Sequence, residues 1–192
     1  MVLEDNIFYG NGFGRILKTA ASNAEETGRA TIFGYYVNDP ERFGVVDFDE
    51  NGKVMSIEEK PVKPKSNYAV TGCYFYPKGV SAKAREVKPS ARGELEITTL
   101  NEMYLHEDNL DVQLLGRGFA WLDTGTADSL VEAANFVKTI SERQGITISA
   151  PEEIAYHNGW IDKEKLSASA ERYGKSLYGK HLKVVAEGKI RY

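Results

Sequence analysis

The chain has 192 residues, which suits one α/β domain of ordinary size and is too short for two large ones. Apolar residues make up 42% of the chain and charged residues 27%, a globular composition that excludes a disordered or fibrous protein. The 24 Lys and Arg residues are outnumbered by 28 Asp and Glu residues, so the net charge of −4 leaves no overall basic footprint for a nucleic acid.

The first part of the chain predicts strands and one helix. Residues 1–3 have the pattern of a strand that ends a buried run, so we expect a segment to precede them. The glycines of residues 10–14 match neither the dinucleotide fingerprint nor the P-loop, and this spacing indicates a flexible turn. A short helix is predicted over 15–24. A strand is predicted over 31–37, where β-branched and aromatic residues are frequent.

A hairpin and a further strand are predicted next. Residues 43–48 and 53–58 flank a turn that contains Asn51 and Gly52, a pair typical of β-hairpins. Residues 68–76 predict a mainly apolar strand with Cys73 as a small core residue. Because a lone cysteine cannot form a disulfide within the chain, the sequence favours a reducing, cytoplasmic setting.

Helices dominate the later part of the sequence. Apolar residues at helical spacing predict a helix over 94–105, and strands are predicted over 111–115 and 119–122. Three more helices are predicted: one after Thr126 or Asp128 with an apolar face of Leu130, Ala134, Val137 and Ile140, one from Pro151 to Gly159, and one from Asp162 to Gly174. No apolar run approaches the roughly 20 residues of a membrane span, and the N-terminus lacks the features of a signal peptide.

Two aspartates occupy similar positions, each directly after a predicted strand and near a glycine. Asp5 follows the first apolar run, and Asp123 follows Leu122. Two carboxylates at strand ends can bind one Mg²⁺, which takes one or two protein oxygens and completes its shell with phosphate and water. On spacing alone, the alternative of two turn or helix-capping aspartates is favoured.

Three other charged residues are candidates for binding a sugar phosphate. Glu59 and Lys60 end a predicted strand before Pro61, which favours extended backbone at Lys60. A lysine can neutralise a phosphate and a carboxylate can accept hydrogen bonds from sugar hydroxyls, although local sequence favours a solvated strand end. Arg92 precedes acidic residues of a predicted helix start, where it can either bind phosphate or remain an exposed loop cation.

The histidines and the C-terminal lysines predict no chemistry. The three histidines have no metal-ligand spacing, so surface or capping roles are expected for His106, His157 and His181. The tail over 175–192 is locally basic and predicts a solvated face.

Several strings, taken in order, resemble one family. They are VLEDNIFYG at 2–10, DPERFGVV at 39–46, EEKP at 58–61, YAVTGCYFY at 68–76, RGELEIT at 92–98, AWLDTG at 120–125, and PEEIAY at 151–156 followed by GWI at 159–161. The set resembles the glucose-1-phosphate thymidylyltransferases, the first enzymes of dTDP-rhamnose synthesis. The resemblance covers nearly the whole chain and depends on the ordered set rather than on any single string.

The resemblance implies a Rossmann-like nucleotidyltransferase fold of the α/β class, with a mixed sheet flanked by helices. It implies transfer of the nucleotidyl group of dTTP to glucose 1-phosphate, with Mg²⁺ as cofactor and release of pyrophosphate. By this resemblance, Asp5 and Asp123 are the metal carboxylates, and Lys60 and Arg92 hold the sugar phosphate. The glucose pocket is implied to contain Gly44, Glu59, Val70 and Tyr74, with Trp121 beside it.

The sequence also departs from the family pattern. The glycine-rich triphosphate loop with Gly-Thr-Arg is missing, and Glu4 replaces the glycine usual before the metal aspartate. We therefore expect a truncated nucleotidyltransferase, with residues 1–145 as its sugar-phosphate-binding part and 146–192 as a helical C-terminal extension. We expect the isolated chain to be inactive and to form a homo-oligomer through exposed sheet edges and apolar faces.

Two alternatives stay open. The chain can be a non-catalytic sugar-phosphate-binding or regulatory module that works beside a partner. It can also be a fragment of a uridylyl- or adenylyl-transferring sugar pyrophosphorylase, although the C-terminal extension favours the thymidylyl branch. Neither alternative involves a nucleic acid or a membrane.

Overall fold

The computed structural model describes residues 1–3, 5–145 and 147–190. Contacts divide the chain into two compact units, Met1–Thr126 and Ala127–Tyr192, called here the first and second units. The division falls at the start of a long helix, whereas the sequence favoured a division near residue 145, at the end of that helix. In the ranges that the structure describes, no helix is long and apolar enough to cross a bilayer.

The elements follow the predicted order closely. The first unit contains β1 (Asn6–Gly10), α1 (Phe13–Glu26), β2 (Ala30–Tyr36), a 3-10 turn (Pro40–Arg42), β3 (Gly44–Phe48), β4 (Val54–Glu59), β5 (Tyr68–Phe75), α2 (Val80–Ala84), α3 (Ile97–His106), β6 (Leu110–Leu115) and β7 (Phe119–Asp123). The second unit contains α4 (Ala127–Gln144), α5 (Pro151–His157), α6 (Lys163–Tyr173) and α7 (Leu177–Ala186).

The first unit is built on a mixed sheet, which confirms the predicted α/β class. Five strands are hydrogen-bonded in the order β4-β3-β5-β2-β6, with β2 and β6 parallel and the other pairs antiparallel. Strands β1 and β7 form a separate antiparallel pair. This pair carries the two aspartates of interest, because Asp5 directly precedes β1 and Asp123 ends β7.

Helices cover both faces of the sheet because successive strand residues point to opposite sides. Ile32 packs in a cluster with Leu100 and Tyr104 of α3, and Phe33 packs in another cluster with Ala20 of α1. Cys73 is a free thiol that is only 5% exposed in the second of these clusters, so the prediction of a small core residue is confirmed.

The turn predicted within residues 10–14 is confirmed at residues 11 and 12. Gly10 ends β1, Gly12 has a φ of 75°, and α1 begins at Phe13. The positive φ at Gly12 is a conformation that glycine adopts without steric cost, so this turn has a structural explanation without a phosphate.

Residues 1–3 are extended, as predicted, but they are not buried. Leu3 donates its backbone N–H to Gly72 O at 2.8 Å, and Val2 bridges Cys73, so the segment is extended along β5. Met1, Val2 and Leu3 are nevertheless 57%, 63% and 40% exposed. The segment therefore lies along the sheet without entering its core.

The predicted start of α3 is also wrong. The helix begins at Ile97, and its first turn holds no acidic residue. The preceding residues form a turn in which Gly93, with a φ of 80°, donates its N–H to Ser90 O at 2.8 Å. Ser90 also donates its hydroxyl to Glu96 Oε1 at 2.9 Å, and these bonds hold the loop outside the helix.

The second unit contains one helix, α7, in the segment for which a solvated tail was predicted. Helix α7 buries His181, Leu182, Val185 and Ala186, which pack with Leu166 and Ala170 of α6 or with Glu153 of α5. His181 Nε2 lies 2.7 Å from Glu153 Oε2, so the expected surface role of His181 is wrong. His106 and His157 are exposed, as expected. Residues 191 and 192 of the tail lie outside the described residues.

The predicted apolar face of α4 is only partly correct. Val137 and Ile140 are half-buried, but Leu130 is 56% exposed and Ala134 is exposed. Ala133, which lies outside the predicted face, is buried at 1% exposure. Helix α6 matches its prediction, because Asp162 caps it by accepting a hydrogen bond from Lys165 N at 2.8 Å and Gly174 follows its last residue.

Candidate active site

A cavity of about 510 Å³ opens in the first unit among β1, β3, β4, β5, β7 and the start of α3. Eight of the nine site residues expected from the sequence line it: Asp5, Gly44, Glu59, Lys60, Val70, Tyr74, Trp121 and Asp123. The ninth, Arg92, lies at its border, where Arg92 Nη1 is 3.8 Å from Glu59 Oε1.

The two aspartates approach each other through the pairing of β1 with β7. Asn6 is paired with Asp123, and Thr124 donates its N–H to Asp5 O at 2.8 Å. A Cβ placed on Gly125 would lie 3.2 Å from Asp123 Oδ1 and 3.6 Å from Asp5 Oδ2. The two carboxylates therefore face one small space beside a residue that has no side chain.

This pair suits a magnesium ion better than a transition metal. Carboxylate oxygens are the hard ligands that Mg²⁺ takes in small number, with water and phosphate completing its shell. In the described part of the chain, no three His, Cys, Asp or Glu side chains cluster as a site made only of protein ligands would require. Glu4, the unusual residue before Asp5, lies outside the described residues.

Both carboxylate oxygens of Asp123 already accept hydrogen bonds from other groups of the protein. Gly125 N donates to Asp123 Oδ1 at 3.2 Å, and Arg42 Nη2 lies 3.4 Å from Asp123 Oδ2. Arg42 is also held by Asp39, whose Oδ2 is 2.8 Å from Arg42 Nη1. Arg42 therefore places a positive charge beside the proposed metal carboxylates.

The opposite side of the cavity is shaped around Gly44 and Glu59. Thr98 donates its hydroxyl to Glu59 Oε2 at 2.5 Å, which fixes the carboxylate at the end of β4. A Cβ on Gly44 would lie 3.0 Å from Thr98 Oγ1, 3.4 Å from Glu59 Oε2 and 3.8 Å from Val70 Cβ. Gly44 thus leaves free the space directly in front of the Glu59 carboxylate.

Lys60 does not have the extended backbone that Pro61 predicted. Its φ is 43°, and its N–H donates to Phe43 O at 2.9 Å as the chain leaves β4. The strand end is therefore bent, so Glu59 and Lys60 both line the cavity rather than pointing to opposite faces of the sheet. A positive φ is uncommon for a residue other than glycine and is often found at functional sites.

Tyr74 contributes a buried phenol to the cavity. It is 3% exposed, and burial together with the negative charge of Glu59 raises its pKa well above the ordinary value for tyrosine. The hydroxyl therefore stays protonated at neutral pH and is available as a hydrogen-bond donor.

Arg92 sits in the loop before α3 among three carboxylates. Its guanidinium lies 2.8 Å from Glu94 Oε2, 3.7 Å from Glu96 Oε1 and 3.8 Å from Glu59 Oε1, and its side chain is 43% exposed. The sequence left two roles open for Arg92, phosphate binding and an exposed loop cation. The structure is compatible with both, because the guanidinium is exposed in a loop and borders the cavity.

Several residues of the cavity were not singled out by sequence reasoning. The polar ones are Asn6, Arg42, Thr98 and Thr126, and the glycines are Gly72 and Gly125. All except Thr126 lie within the strings that carry the family resemblance, so position within those strings was the signal that could have identified them.

Comparison with known sequences is consistent with this geometry. The sequence profile of the nucleotidyl transferases matches residues 1–140. Three similar proteins are named glucose-1-phosphate thymidylyltransferase. The protein of Xanthomonas campestris is 56% identical to this chain over 97% of its residues, that of Neisseria gonorrhoeae 55% over 95%, and that of Mycobacterium tuberculosis 52% over 95%. The chain spans 62% of the length of each of these three relatives.

Solved structures show the same fold. A Bacillus anthracis protein assigned as a glucose-1-phosphate thymidylyltransferase, solved with sucrose, is 41% identical, with a TM-score of 0.60 over 70% of this chain and 52% of that chain. A UDP-glucose pyrophosphorylase solved with UDP-glucose is 21% identical and shares the fold, with a TM-score of 0.60 over 72% of this chain and 55% of that chain. Since the family profile covers most of its length, the chain belongs to the nucleotidyl transferase family.

Proposed function

We propose that the chain is the hexose-phosphate-binding part of a glucose-1-phosphate thymidylyltransferase. One observation carries this proposal: a single cavity holds a carboxylate for sugar hydroxyls, a cation for the phosphate and two carboxylates that suit Mg²⁺. These roles belong to Glu59, Lys60, Asp5 and Asp123. The names of relatives more than 50% identical over nearly all of this chain support the same activity.

The hexose would lie between Glu59 and Trp121. Glu59, oriented by Thr98, accepts hydrogen bonds from sugar hydroxyls, and the protonated Tyr74 donates one. The missing side chain at Gly44 leaves room for the ring. The indole of Trp121 offers an apolar surface to the face of the sugar.

The phosphate of the sugar would be held by two cations, Lys60 and Arg92. Lys60 lines the cavity and supplies a point charge. Arg92 can add a planar, bidentate contact, but only by releasing part of its hold on Glu94 and Glu96. Catalysis then depends on holding the phosphate oxygen in line with the α-phosphorus of dTTP, from which pyrophosphate leaves.

Asp5 and Asp123 would hold the metal ion. When bound, Mg²⁺ would neutralise negative charge on the reacting phosphates. The protein's part is to keep the two carboxylates close together. The β1–β7 pairing and the open space at Gly125 provide that arrangement.

We also propose that this chain alone does not transfer the nucleotide. The sequence contains no glycine-rich loop for the triphosphate. Loss of even one preorganised donor to a developing charge lowers enzyme rates by about 10²–10³-fold, and a whole phosphate cradle contributes several such donors.

A pyrophosphate-release assay with dTTP, glucose 1-phosphate and Mg²⁺ tests the activity. The chain is assayed alone and after mixing with a separately produced polypeptide: the segment of the Xanthomonas campestris relative that this chain does not cover. We expect turnover in the mixture only, and its loss when the chain carries Lys60→Ala. Full turnover by the chain alone, or a mixture that stays inactive although both parts fold and bind, would contradict the proposal.

Two variations of this assay separate the alternatives. Replacing dTTP with UTP or ATP tests the uridylyl- and adenylyl-transferring alternatives, and we expect dTTP to be preferred. A non-catalytic sugar-phosphate-binding module would bind glucose 1-phosphate and remain silent in every mixture.

Self-association and a cytoplasmic location are part of the proposal. Leu130 and Val131 of α4 are 56% and 59% exposed, and β4 and β6 are edge strands in the sheet that the structure describes. Exposed apolar side chains and unpaired strand edges favour contacts between copies. Light scattering across a concentration series should show oligomers.

The buried free thiol of Cys73 suits a reducing compartment, in agreement with the proposed cytoplasmic location.

A further inference from the structure

Asn6 connects the proposed metal carboxylate to the aromatic wall of the cavity. Its Nδ2 donates to Asp5 Oδ1 at 2.7 Å. Its Oδ1 accepts two hydrogen bonds, from Trp121 Nε1 at 2.5 Å and from Gly72 N at 3.0 Å. One side chain thus ties together β1, β5 and β7.

The partners leave only one orientation for this amide. An indole N–H and a backbone N–H can only donate, so the atom facing Trp121 and Gly72 must be the amide oxygen. The NH₂ group must then face Asp5, where the carboxylate accepts. The hydrogen-bonding partners of Asn6 therefore fix the orientation of its amide. In this orientation the NH₂ group donates a hydrogen bond to the Asp5 carboxylate.

Packing against β5 fixes the position of Asn6 as well. Gly72 is buried, and a Cβ on Gly72 would lie 2.5 Å from Asn6 Nδ2 and 2.6 Å from Asn6 Cγ. The amide thus rests directly on the backbone of Gly72. A shift of Asn6 would disturb its bonds to Asp5 and Trp121 together.

We propose that Asn6 is a positioning residue that couples Asp5 to Trp121, so that divalent-metal binding and hexose-phosphate binding strengthen each other. The inference rests on the proposed function, because it takes Asp5 as a metal carboxylate and Trp121 as part of the hexose pocket. A residue that orients a metal ligand commonly changes metal affinity about 10–100-fold when it is replaced. Because coupling between two binding sites is reciprocal, glucose 1-phosphate must then raise the metal affinity by the same factor as the metal raises the affinity for glucose 1-phosphate.

The hydrogen bond from Trp121 to Asn6 gives a test at a residue that does not itself hold the metal. Trp121→Phe removes the indole N–H that donates to Asn6, while an aromatic ring remains to pack against Phe43 and Tyr35. Trp160→Phe is the matched control, because Trp160 is the other tryptophan of the chain, lies in the second unit and is 73% exposed.

The measurement is Mn²⁺ binding to the full chain, followed by electron paramagnetic resonance. We expect the Mn²⁺ affinity to fall about tenfold in Asn6→Ala and several-fold in Trp121→Phe, and to stay unchanged in Trp160→Phe. Glucose 1-phosphate should raise the Mn²⁺ affinity of the wild type but not that of Asn6→Ala. Thermal unfolding checks the fold of each variant, and Trp121→Phe decides the outcome if Asn6→Ala does not fold.

Asp5→Asn separates failure of this inference from failure of the proposed function. If Asp5→Asn abolishes Mn²⁺ binding while Trp121→Phe binds Mn²⁺ like the wild type, the coupling is overturned and the metal assignment stands. If Asp5→Asn binds Mn²⁺ like the wild type, the metal assignment fails and the coupling fails with it.

Discussion

One carboxylate oxygen of Asp5 and one of Asp123 lie close to the same point, the position that a Cβ of Gly125 would occupy, 3.6 Å from Asp5 Oδ2 and 3.2 Å from Asp123 Oδ1. The antiparallel pairing of β1 with β7 causes this approach, because Asn6 lies opposite Asp123. The space between the carboxylates stays open only while residue 125 has no side chain.

Gly125→Ala should therefore weaken metal binding. The φ of Gly125 lies outside the left-handed region, so alanine fits the backbone, but its methyl group would occupy the space between the carboxylates. We expect the Mg²⁺ affinity, measured by calorimetry, to fall about tenfold with little change in thermal stability. Gly116→Ala is the control, because a Cβ there would meet no described atom within 4 Å. Equal Mg²⁺ affinity in the two variants would argue against a metal ion at this point.

Gly44→Ala should weaken binding of glucose 1-phosphate. Its methyl group would lie 3.0 Å from Thr98 Oγ1 and 3.4 Å from Glu59 Oε2, so it would crowd the hydrogen bond that orients Glu59 and fill space in front of the carboxylate. We expect a loss of about tenfold in affinity, or about 1.4 kcal/mol, by calorimetric titration. Gly116→Ala should bind like the wild type. An undiminished affinity in Gly44→Ala would place the sugar elsewhere.

The stability of the first unit should depend on pH through Asp111. Burial alone would raise the pKa of Asp111, but hydrogen bonds from Arg29 and Asn23 and the charge of Arg29 outweigh it and hold the pKa below its ordinary value. The stabilisation is therefore complete above the unfolded pKa, about 3.9, and is lost as pH falls through the lower folded pKa. Because both side chains are partly exposed, we expect about 1 kcal/mol or less.

Urea unfolding at several pH values measures this contribution. The free energy of unfolding of Asp111→Asn should lie below that of the wild type at neutral pH, and the difference should shrink at acidic pH. Glu50→Gln, at the exposed hairpin turn, serves as the control. A difference that stays constant down to the most acidic pH at which the chain folds would show that ionisation of Asp111 does not contribute.

Local signals predicted much of the fold. Asp162 and Gly174 mark the ends of α6, and Asn51-Gly52 marks the hairpin between β3 and β4, because capping and turn preferences act within a few residues. Helix α7 was not predicted, because the lysines among its buried residues made the segment look like a solvated, basic tail. His181 became a core residue only through Glu153, which belongs to a different helix.

The candidate site was predictable residue by residue but not in its contacts. The family strings contain every residue that the resemblance assigned. They do not reveal that Lys60 bends the end of β4, that Arg92 contacts three carboxylates or that Asn6 bridges Asp5 and Trp121. The contacts of Lys60 with Phe43, of Arg92 with Glu59 and of Asn6 with Trp121 join residues far apart in the chain, and only the packed fold brings them together.

Binding of glucose 1-phosphate shows directly whether the cavity holds a sugar phosphate through Lys60. The chain is titrated with glucose 1-phosphate and with glucose, both with Mg²⁺, as wild type, as Lys60→Ala, and as Lys63→Ala, a control at an exposed lysine of the next loop. We predict that the wild type and Lys63→Ala bind glucose 1-phosphate more tightly than glucose, and that Lys60→Ala loses this preference. Equal affinity for the two sugars in the wild type, or an undiminished preference in Lys60→Ala, would contradict this prediction.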